Sequence, residues 1–434
     1  MLTKMRRLRV PAVLRDEPQY RLLFGSQVLS IVGDRVTAVA LPFAVIAIGG
    51  GVADVALVSA AQFLPFVVLA LPAGVWADRF DRRRMLILSD IVRLVCQLVA
   101  ASLLMGGGAS VPALVGIAAV YGAADAFFAP AFSGLLPSTV SPANLQPANA
   151  LRGLSFSFGS VVGPILAGLL IAFAGGPGGA LLFDALTFAV SIALLIPLRP
   201  KLVERALRAE DPLASTDHFW TSLKQGWHEV RSRPWVVGFL GSLSAYHVAI
   251  LPAIFVIGPV LMDRELDGAR SWAIIVTCFG VGAILGDLLF LHWRPRHAMR
   301  VASLLLVGAS CQAAFIGSGL GTWGIGALEL FAGVCVTGAF ALWETSLGEH
   351  IPSHALSRVA SYDYLSSSGT IPLGNLLAGA ASAAFGIHET LIGMTAVGIA
   401  CSLVVASLPS VRNLPRGADV LPVVDTASGR TSYS

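Results

Sequence analysis

The sequence predicts an all-α integral membrane protein, and three observations predict it. Hydrophobic residues make up 56% of the 434 residues and charged residues 12%, roughly half the charge of a soluble domain. The apolar residues fall into about twelve stretches of spanning length, each near the 20 or so residues that a membrane helix needs. The 29 lysines and arginines are sorted by connection. They collect at both ends and in alternate, even-numbered connections. Only Arg264 and Arg270 lie in odd-numbered ones, and Arg35 and Arg93 lie inside apolar stretches. Cytoplasmic loops retain Lys and Arg and translocated loops do not. The asymmetry therefore predicts a multi-pass protein of the plasma (inner) membrane with both termini cytoplasmic.

The elements follow in order. Residues 1–21 form a basic cytoplasmic segment (Lys4, Arg6, Arg7, Arg9, Arg15, Arg21). The apolar run after it is too long for a signal peptide and is expected to stay as the first span. Spans are expected near 22–48, 54–76, 85–105, 111–133, 148–174, 178–197, 234–260, 271–292, 299–317, 323–345, 359–385 and 388–408. The odd connections are short and nearly uncharged, except 261–270. The even ones are basic, as in 77–84 with Arg79, Arg82, Arg83 and Arg84. The net charge of +4 sits in loops that face anionic lipid, so the expected partner is the bilayer and not nucleic acid. The five cysteines all lie in apolar stretches and read as small core residues, not a disulfide framework. No metal-ligand spacing, cofactor motif or GxxxxGK[ST] loop occurs, so no metal, no cofactor and no built-in ATPase are expected. No nucleophile–base set points to an enzyme.

The connection 198–233 divides the chain into two six-span halves, 22–197 and 234–408. Its first part is polar. In its second part Trp220, Leu223, Trp227 and Val230 recur at spacings of three and four, which predicts an amphipathic helix in the inner interface that ends at Pro234. Residues 409–434 are expected to be a disordered cytoplasmic tail. The halves echo each other. Pro142, Leu145, Arg152, Gly159, Gly163, Pro164 and Gly168 precede or enter the fifth span, and Pro352, Leu356, Arg358, Gly369, Pro372, Gly374 and Gly379 the eleventh. A duplicated unit of this kind points to alternating access.

The strongest local motif is Gly74, Asp78, Arg79, Arg82, Arg83 and Arg84 in GVWADRFDRRR, between the second and third spans. It resembles the G-x-x-x-D-R-x-G-R-R loop of the major facilitator superfamily, with Asp81 where that pattern has its second glycine. The plan of six plus six spans with a long central loop is similar to that family. Gly33–Asp34–Arg35, Ala40–Leu41–Pro42, Phe63–Leu64–Pro65 and the run from Trp227 to Pro234 resemble its branch of enterobactin exporters and macrolide efflux proteins. The resemblance implies two pseudo-symmetric six-helix bundles and a cytoplasmic gate at Gly74, Asp78, Arg79, Arg82 and Arg83, with Asp78 pairing with Arg82 and facing the start of the eleventh span. Gly286 to Arg296, the matching connection of the second half, has Phe290 at the aspartate's place. Gly159, Gly163, Pro164 and Gly168 in the fifth span are similar to the antiporter motif of drug:proton exchangers, with Ala167 replacing one glycine. Small residues there make a smooth packing face, and Pro164 removes a helix hydrogen bond and kinks the helix.

Charges at membrane depth are the third signal, since each costs about 2.5–3.5 kcal/mol at a helix centre. Asp34 lies near the middle of the first span and Asp125 in the inner half of the fourth. A carboxyl group removed from water is favoured in its protonated form, so Asp34 and Asp125 are proton-coupling candidates, each with pairing to an arginine as the alternative. Arg35 joins the set, but neighbours on a helix point about 100° apart, so Asp34 and Arg35 are expected to have different partners. Asp90 and Arg93, three apart, are expected to pair at shallow depth, with Arg93 snorkelling. Glu329 and His247 are the second-half candidates for proton handling. Asp184, Asp287 and Glu344 are expected at the interface. Phe127, Phe128 and Phe132 are expected to face lipid or core, with a cavity wall as the alternative. The combined expectation is a monomeric secondary transporter that exports a small amphiphilic compound, such as an antibiotic, drug or siderophore, in exchange for protons. Proton-coupled uptake of a nutrient, and a membrane sensor or assembly partner that does not transport, are the competing readings.

Overall fold

The computed structural model describes residues 11–199, 226–415, 423–424 and 431–432. Within them, residues 71, 74, 75, 77–79, 353, 354, 357 and 358 are described in backbone only. The first half holds α1 (Ala12–Asp16), α2 (Pro18–Ala47), α3 (Val52–Arg79), α4 (Arg82–Met105), α5 (Val111–Asp125), α6 (Phe128–Leu135), α7 (Leu145–Phe173) and α8 (Gly176–Leu195). The second holds α9 (226–231), α10 (Pro234–Ala249), α11 (Gly258–Glu265), α12 (Ala269–His292), α13 (Ala298–Ser310), α14 (Gln312–Ile316), α15 (Thr322–His350), α16 (Ser353–Ser367), α17 (Ile371–Phe385), α18 (Ile387–Ser407) and α19 (Pro409–Arg412). Val423–Val424 and Thr431–Ser432 pair as a two-residue antiparallel ladder.

Local chemistry sets the boundaries. Proline sits at the first or second position of α2, α5, α8, α10, α17 and α19, where its missing N–H costs nothing. The short odd-numbered connections turn on glycines with positive φ, among them Gly49 at 84° and Gly175 at 90°, a conformation that a side chain resists. Asp81 caps α4 by accepting from the Arg84 N–H at 3.0 Å. That is a use for the residue that replaces the motif's usual glycine.

Eleven helical stretches among the described residues are long and apolar enough to cross a membrane. The remaining expected span, 359–385, is broken. α16 carries Ser, Tyr and Asp, a 3₁₀ turn follows at Ser368–Thr370, and α17 resumes at Ile371. The span α10–α11 is interrupted in another way, by a π-helical turn at Ala253–Ile257 after Pro252. α7 runs as one helix through Pro164.

The chain divides into two compact units, Met1–Gly50 with Ala61–Pro212, and Gly51–Ala60 with Leu213–Ser434. In the first, Tyr20, Leu23, Leu86, Phe132, Leu135 and Leu195 form a buried cluster. In the second, Trp343 is fully buried, stacked on Phe239 at 4.6 Å and edge-on to Trp235 at 5.7 Å. α12 and α15 approach at glycines: a Cβ on Gly282 would strike the Leu330 carbonyl, and one on Gly333 would strike that of Phe279. This is close packing of the kind that joins membrane helices.

The expected amphipathic linker helix is described only in its last turns, and Trp220 and Leu223 lie outside the described residues. Val230 is buried in the Trp343 cluster, and Trp227 packs against Tyr362 with ring centroids 5.7 Å apart. The described part of the linker thus docks on the second unit. The C-terminal segment also starts folded, because Val411 of α19 is fully buried in the same cluster.

Candidate functional site

Arg93 is the centre of a buried polar network in the first unit. One turn of α4 sets Asp90 three residues before it, and the pair meets at 2.5 Å with both side chains 0% exposed. The Arg93 guanidinium also reaches Asp125 at the end of α5, at 3.1 Å, and Asp34 of α2, at 3.7 Å. It lies 4.6 Å from the centroid of the Phe128 ring and 4.5 Å from that of Phe188. Those cation–π contacts fix a planar cation between two faces. Nε of Arg93 is buried without a partner.

The carboxyl groups are held by neutral donors as well. Tyr121 donates to Asp34 at 2.6 Å, and Ser191 donates to Asp90 at 2.6 Å. Asp184 of α8 accepts from Thr37 at 2.7 Å, from Gln97 at 2.6 Å and from Thr187 at 3.1 Å. The close approach of α2 and α8 that permits this depends on Gly33, where a Cβ would collide with the Asp184 carboxyl group and the Thr187 hydroxyl. Asp34 and Asp125 remain 38% exposed, whereas Asp90 and Asp184 are fully buried. Three carboxyl groups thus gather around one guanidinium, with Asp184 held apart on neutral donors. Fully ionised, the set would carry an excess of negative charge in a low-dielectric interior, which is costly.

Two sequence expectations are corrected here. Asp184 is not interfacial: it is 0% exposed and hydrogen-bonded to α2, to α4 and within its own helix. Arg93 does not snorkel from a shallow position, because three carboxylates and two aromatic rings enclose it. The Asp90–Arg93 pairing itself is present. Tyr121, Gln97 and Thr37 were not singled out from the sequence. Gln97, an amide in the middle of an apolar span, was the signal available.

Arg35 stands apart from this network. Its stem packs on the glycine face of α7, where a Cβ on Gly163 would strike the Arg35 Cβ and one on Gly159 would come within 3.6 Å of its Cγ. The glycines of the antiporter-like motif therefore set the distance between α7 and the helix that carries Asp34. Pro164 is buried in the same helix, and Gly168 lies one turn further along.

The loop motif is placed in part. Gly74, Asp78 and Arg79 lie in the last turns of α3, but their side chains are outside the described residues, so the expected Asp78–Arg82 pair is too. Arg82 donates to the Gly134 carbonyl at 2.5 Å, over a glycine where any side chain would meet the guanidinium. Arg83 donates to the carbonyls of Leu195, at 2.9 Å, and Ile196, so it caps the end of α8. Beside this corner, an apolar cavity of about 560 Å³ is lined by Trp76, Phe80, Met85, Leu88, Val120 and Phe127. Phe127 is thus a cavity wall, stacked on Trp76 at 5.5 Å. Phe128 and Phe132 instead stack on each other, and Phe132 is fully buried.

In the second unit Glu329 of α15 is 2% exposed. Its Oε2 accepts from Gln312 at 2.8 Å, and its Oε1 is buried without a partner. Tyr246 donates to the other end of Gln312 at 2.5 Å. His247 is buried, but its Nδ1 faces the Leu243 carbonyl at 2.8 Å, away from this trio. Asp287 and Glu344 are exposed.

Residues 23–368 match the family model described as Major Facilitator Superfamily. The multidrug efflux pump Tap of Mycolicibacterium fortuitum is 26% identical over 408 residues, covering 88% of this chain and 93% of its own length. The enterobactin exporter EntS of Escherichia coli O127:H6 (strain E2348/69 / EPEC) is 26% identical over 429 residues, covering 93% and 96%. The crystal structure of the nucleoside transporter NupG superposes with a TM-score of 0.69 at 13% identity, covering 89% of this chain and 98% of that one. At that identity the last likeness speaks for the fold alone.

Proposed function

The chain belongs to the major facilitator superfamily and is a multi-pass membrane transporter, and we propose that it exports a small amphiphilic compound across the plasma (inner) membrane in exchange for protons. Export is supported by Tap and EntS, whose names give efflux of drugs and of enterobactin and which align with nearly the whole chain. Proton exchange is supported by one observation above the others: Arg93 is shared by Asp34 and Asp125, two carboxyl groups that solvent still reaches.

A proton arriving on Asp34 or Asp125 releases that group's hold on Arg93, and the guanidinium turns to the remaining partner. Such a swap moves α2 or α5 relative to α4, because the three groups sit on three helices. Asp90, fully buried against Arg93, keeps the arginine in place through the exchange. Glu329 is a second proton site, since its free oxygen and single amide partner leave a charge there poorly compensated. The basic loop acts as the cytoplasmic latch. Arg82 and Arg83 tie the start of α4 to α6 and α8, and Gly74, Asp78 and Arg79 supply the part that opens. The carrier works as a monomer by alternating access, with both termini cytoplasmic.

A susceptibility panel in an efflux-deficient bacterial host tests this reading. Expression of the chain is expected to raise resistance to one chemical class, and the Asp34→Asn and Asp125→Asn variants to lose that resistance at unchanged membrane levels. No shift for any class, or full resistance in both variants, contradicts it.

A further inference from the structure

Arg35 is a charged side chain that the fold does not use. It sits in mid-helix in α2, within a 30-residue apolar span, where a guanidinium is costly unless something offsets it. The neighbouring Asp34 attracts it through space, but no group in the described residues binds it. Among the described residues Arg35 makes no hydrogen bond and no ion pair, although its neighbour Asp34 is held by Tyr121 and Arg93. The other nearby carboxyl group, Asp184, is taken by Thr37, Gln97 and Thr187. The side chain is exposed, while its stem is held against Gly159 and Gly163. A stem fixed by tight packing and an unpaired guanidinium at its end make a preorganised donor fork without an acceptor. Such a fork matches a planar or tetrahedral oxyanion.

We propose that Arg35 recognises an anionic oxygen group (carboxylate, sulfonate, phosphate or phenolate) on the transported compound. This deepens the efflux reading and rests on it for the word transported. The export cargo is thereby an amphiphile with an acidic head, and the glycine face of the antiporter-like motif is what aims the arginine at it. Substituting Gly163 would then disturb recognition through Arg35 as well as packing.

The test uses full-length protein in phosphatidylcholine nanodiscs and two dyes that share a ring system, the anion fluorescein and the cation rhodamine 6G, followed by fluorescence anisotropy without any ion gradient. Wild-type protein is expected to bind fluorescein. Arg35→Gln should weaken that binding by about tenfold to a hundredfold, the worth of a lost charge-assisted contact. Arg35→Lys should keep part of it, and rhodamine binding should not weaken in either variant, which also reports that both are folded. Replacing phosphatidylcholine with phosphatidylglycerol separates the two sources of the anion: fluorescein is displaced if lipid phosphate occupies Arg35, and stays bound if a dissolved compound does. Wild-type protein that binds rhodamine alone or neither dye overturns the proposal, as does fluorescein binding that Arg35→Gln leaves unchanged. Binding is read without transport, so a failure of export in cells with Arg35-dependent fluorescein binding intact counts against the efflux reading and not against this one.

Discussion

The two units bury their acidic residues in different ways. In the first, Asp34, Asp90 and Asp125 surround Arg93, with Asp184 nearby on neutral donors. In the second, Glu329 lies buried with a single amide for company and one oxygen unpaired. The first arrangement is a set of exchangeable contacts, because one cation has more carboxyl partners than it can neutralise. The second offers no exchange, since no cation faces Glu329 among the described residues. The comparison teaches that a swap of ion-pair partners can drive motion only where an arginine is shared. A lone carboxyl group can hold or release a proton but has nothing to hand over.

The largest expected effect is at the shared cation. Arg93→Gln leaves the carboxyl groups without their counter-charge, and breaking a buried pair from one side costs about 3–5 kcal/mol. Loss of most folded protein, read by size-exclusion profile and thermal melting in detergent, is the expected outcome. Arg93→Lys should rescue little, because an ammonium cannot fill the planar slot between Phe128 and Phe188. A variant that melts like wild type would show that Arg93 is not the hub.

Next comes the glycine face. Gly163→Leu forces atoms into the space of the Arg35 stem, and overpacking of this kind costs about 1–3 kcal/mol. A lower melting temperature is expected, with a smaller drop for Gly159→Ala, whose methyl group meets the Cγ2 methyl of Ile31. Equal melting for all three proteins would mean that α2 and α7 are not close-packed.

Glu329 should behave in the opposite way to Arg93. Glu329→Gln removes a poorly compensated charge and keeps the shape. The expected change in stability is therefore small, within about 1 kcal/mol, and of either sign. A collapse as severe as that of Arg93→Gln would reveal a hidden cation partner and erase the contrast between the units. The smallest effect is expected at Arg15, whose pair with Asp16 at 2.8 Å is fully exposed and screened by solvent. Arg15→Ala should leave melting unchanged.

Much of the fold was legible because membrane constraints act on composition. Span lengths and the arginine-bearing connections read directly from the chain, and eleven spans met the expectation. The twelfth region is harder to read, since Ser353–Thr370 is polar and breaks at Ser368, just ahead of Pro372 at the start of α17. The site was legible where its logic was local. Asp90 and Arg93 pair through helix spacing alone, and Asp34 and Asp125 stood out as charges in apolar runs. The interfacial reading of Asp184 fails because the residue is ninth of twenty in α8, and only the close approach at Gly33 brings it to Thr37 and Gln97. Tyr121 and Gln312 were missed for the same reason: a single polar residue in a span carries no sign of which other span it will meet. Asp81 broke a motif on paper and proved to be a helix cap.

The central claim is that Asp34 and Asp125 exchange protons by sharing Arg93, and proton movement measures it most directly. Purified protein in liposomes with an internal pH dye, given a compound found by the susceptibility panel, should move protons against the flow of that compound. Asp34→Asn and Asp125→Asn together should abolish the proton movement while leaving downhill exchange of the compound intact. Proton movement that persists undiminished in the double variant would contradict the account.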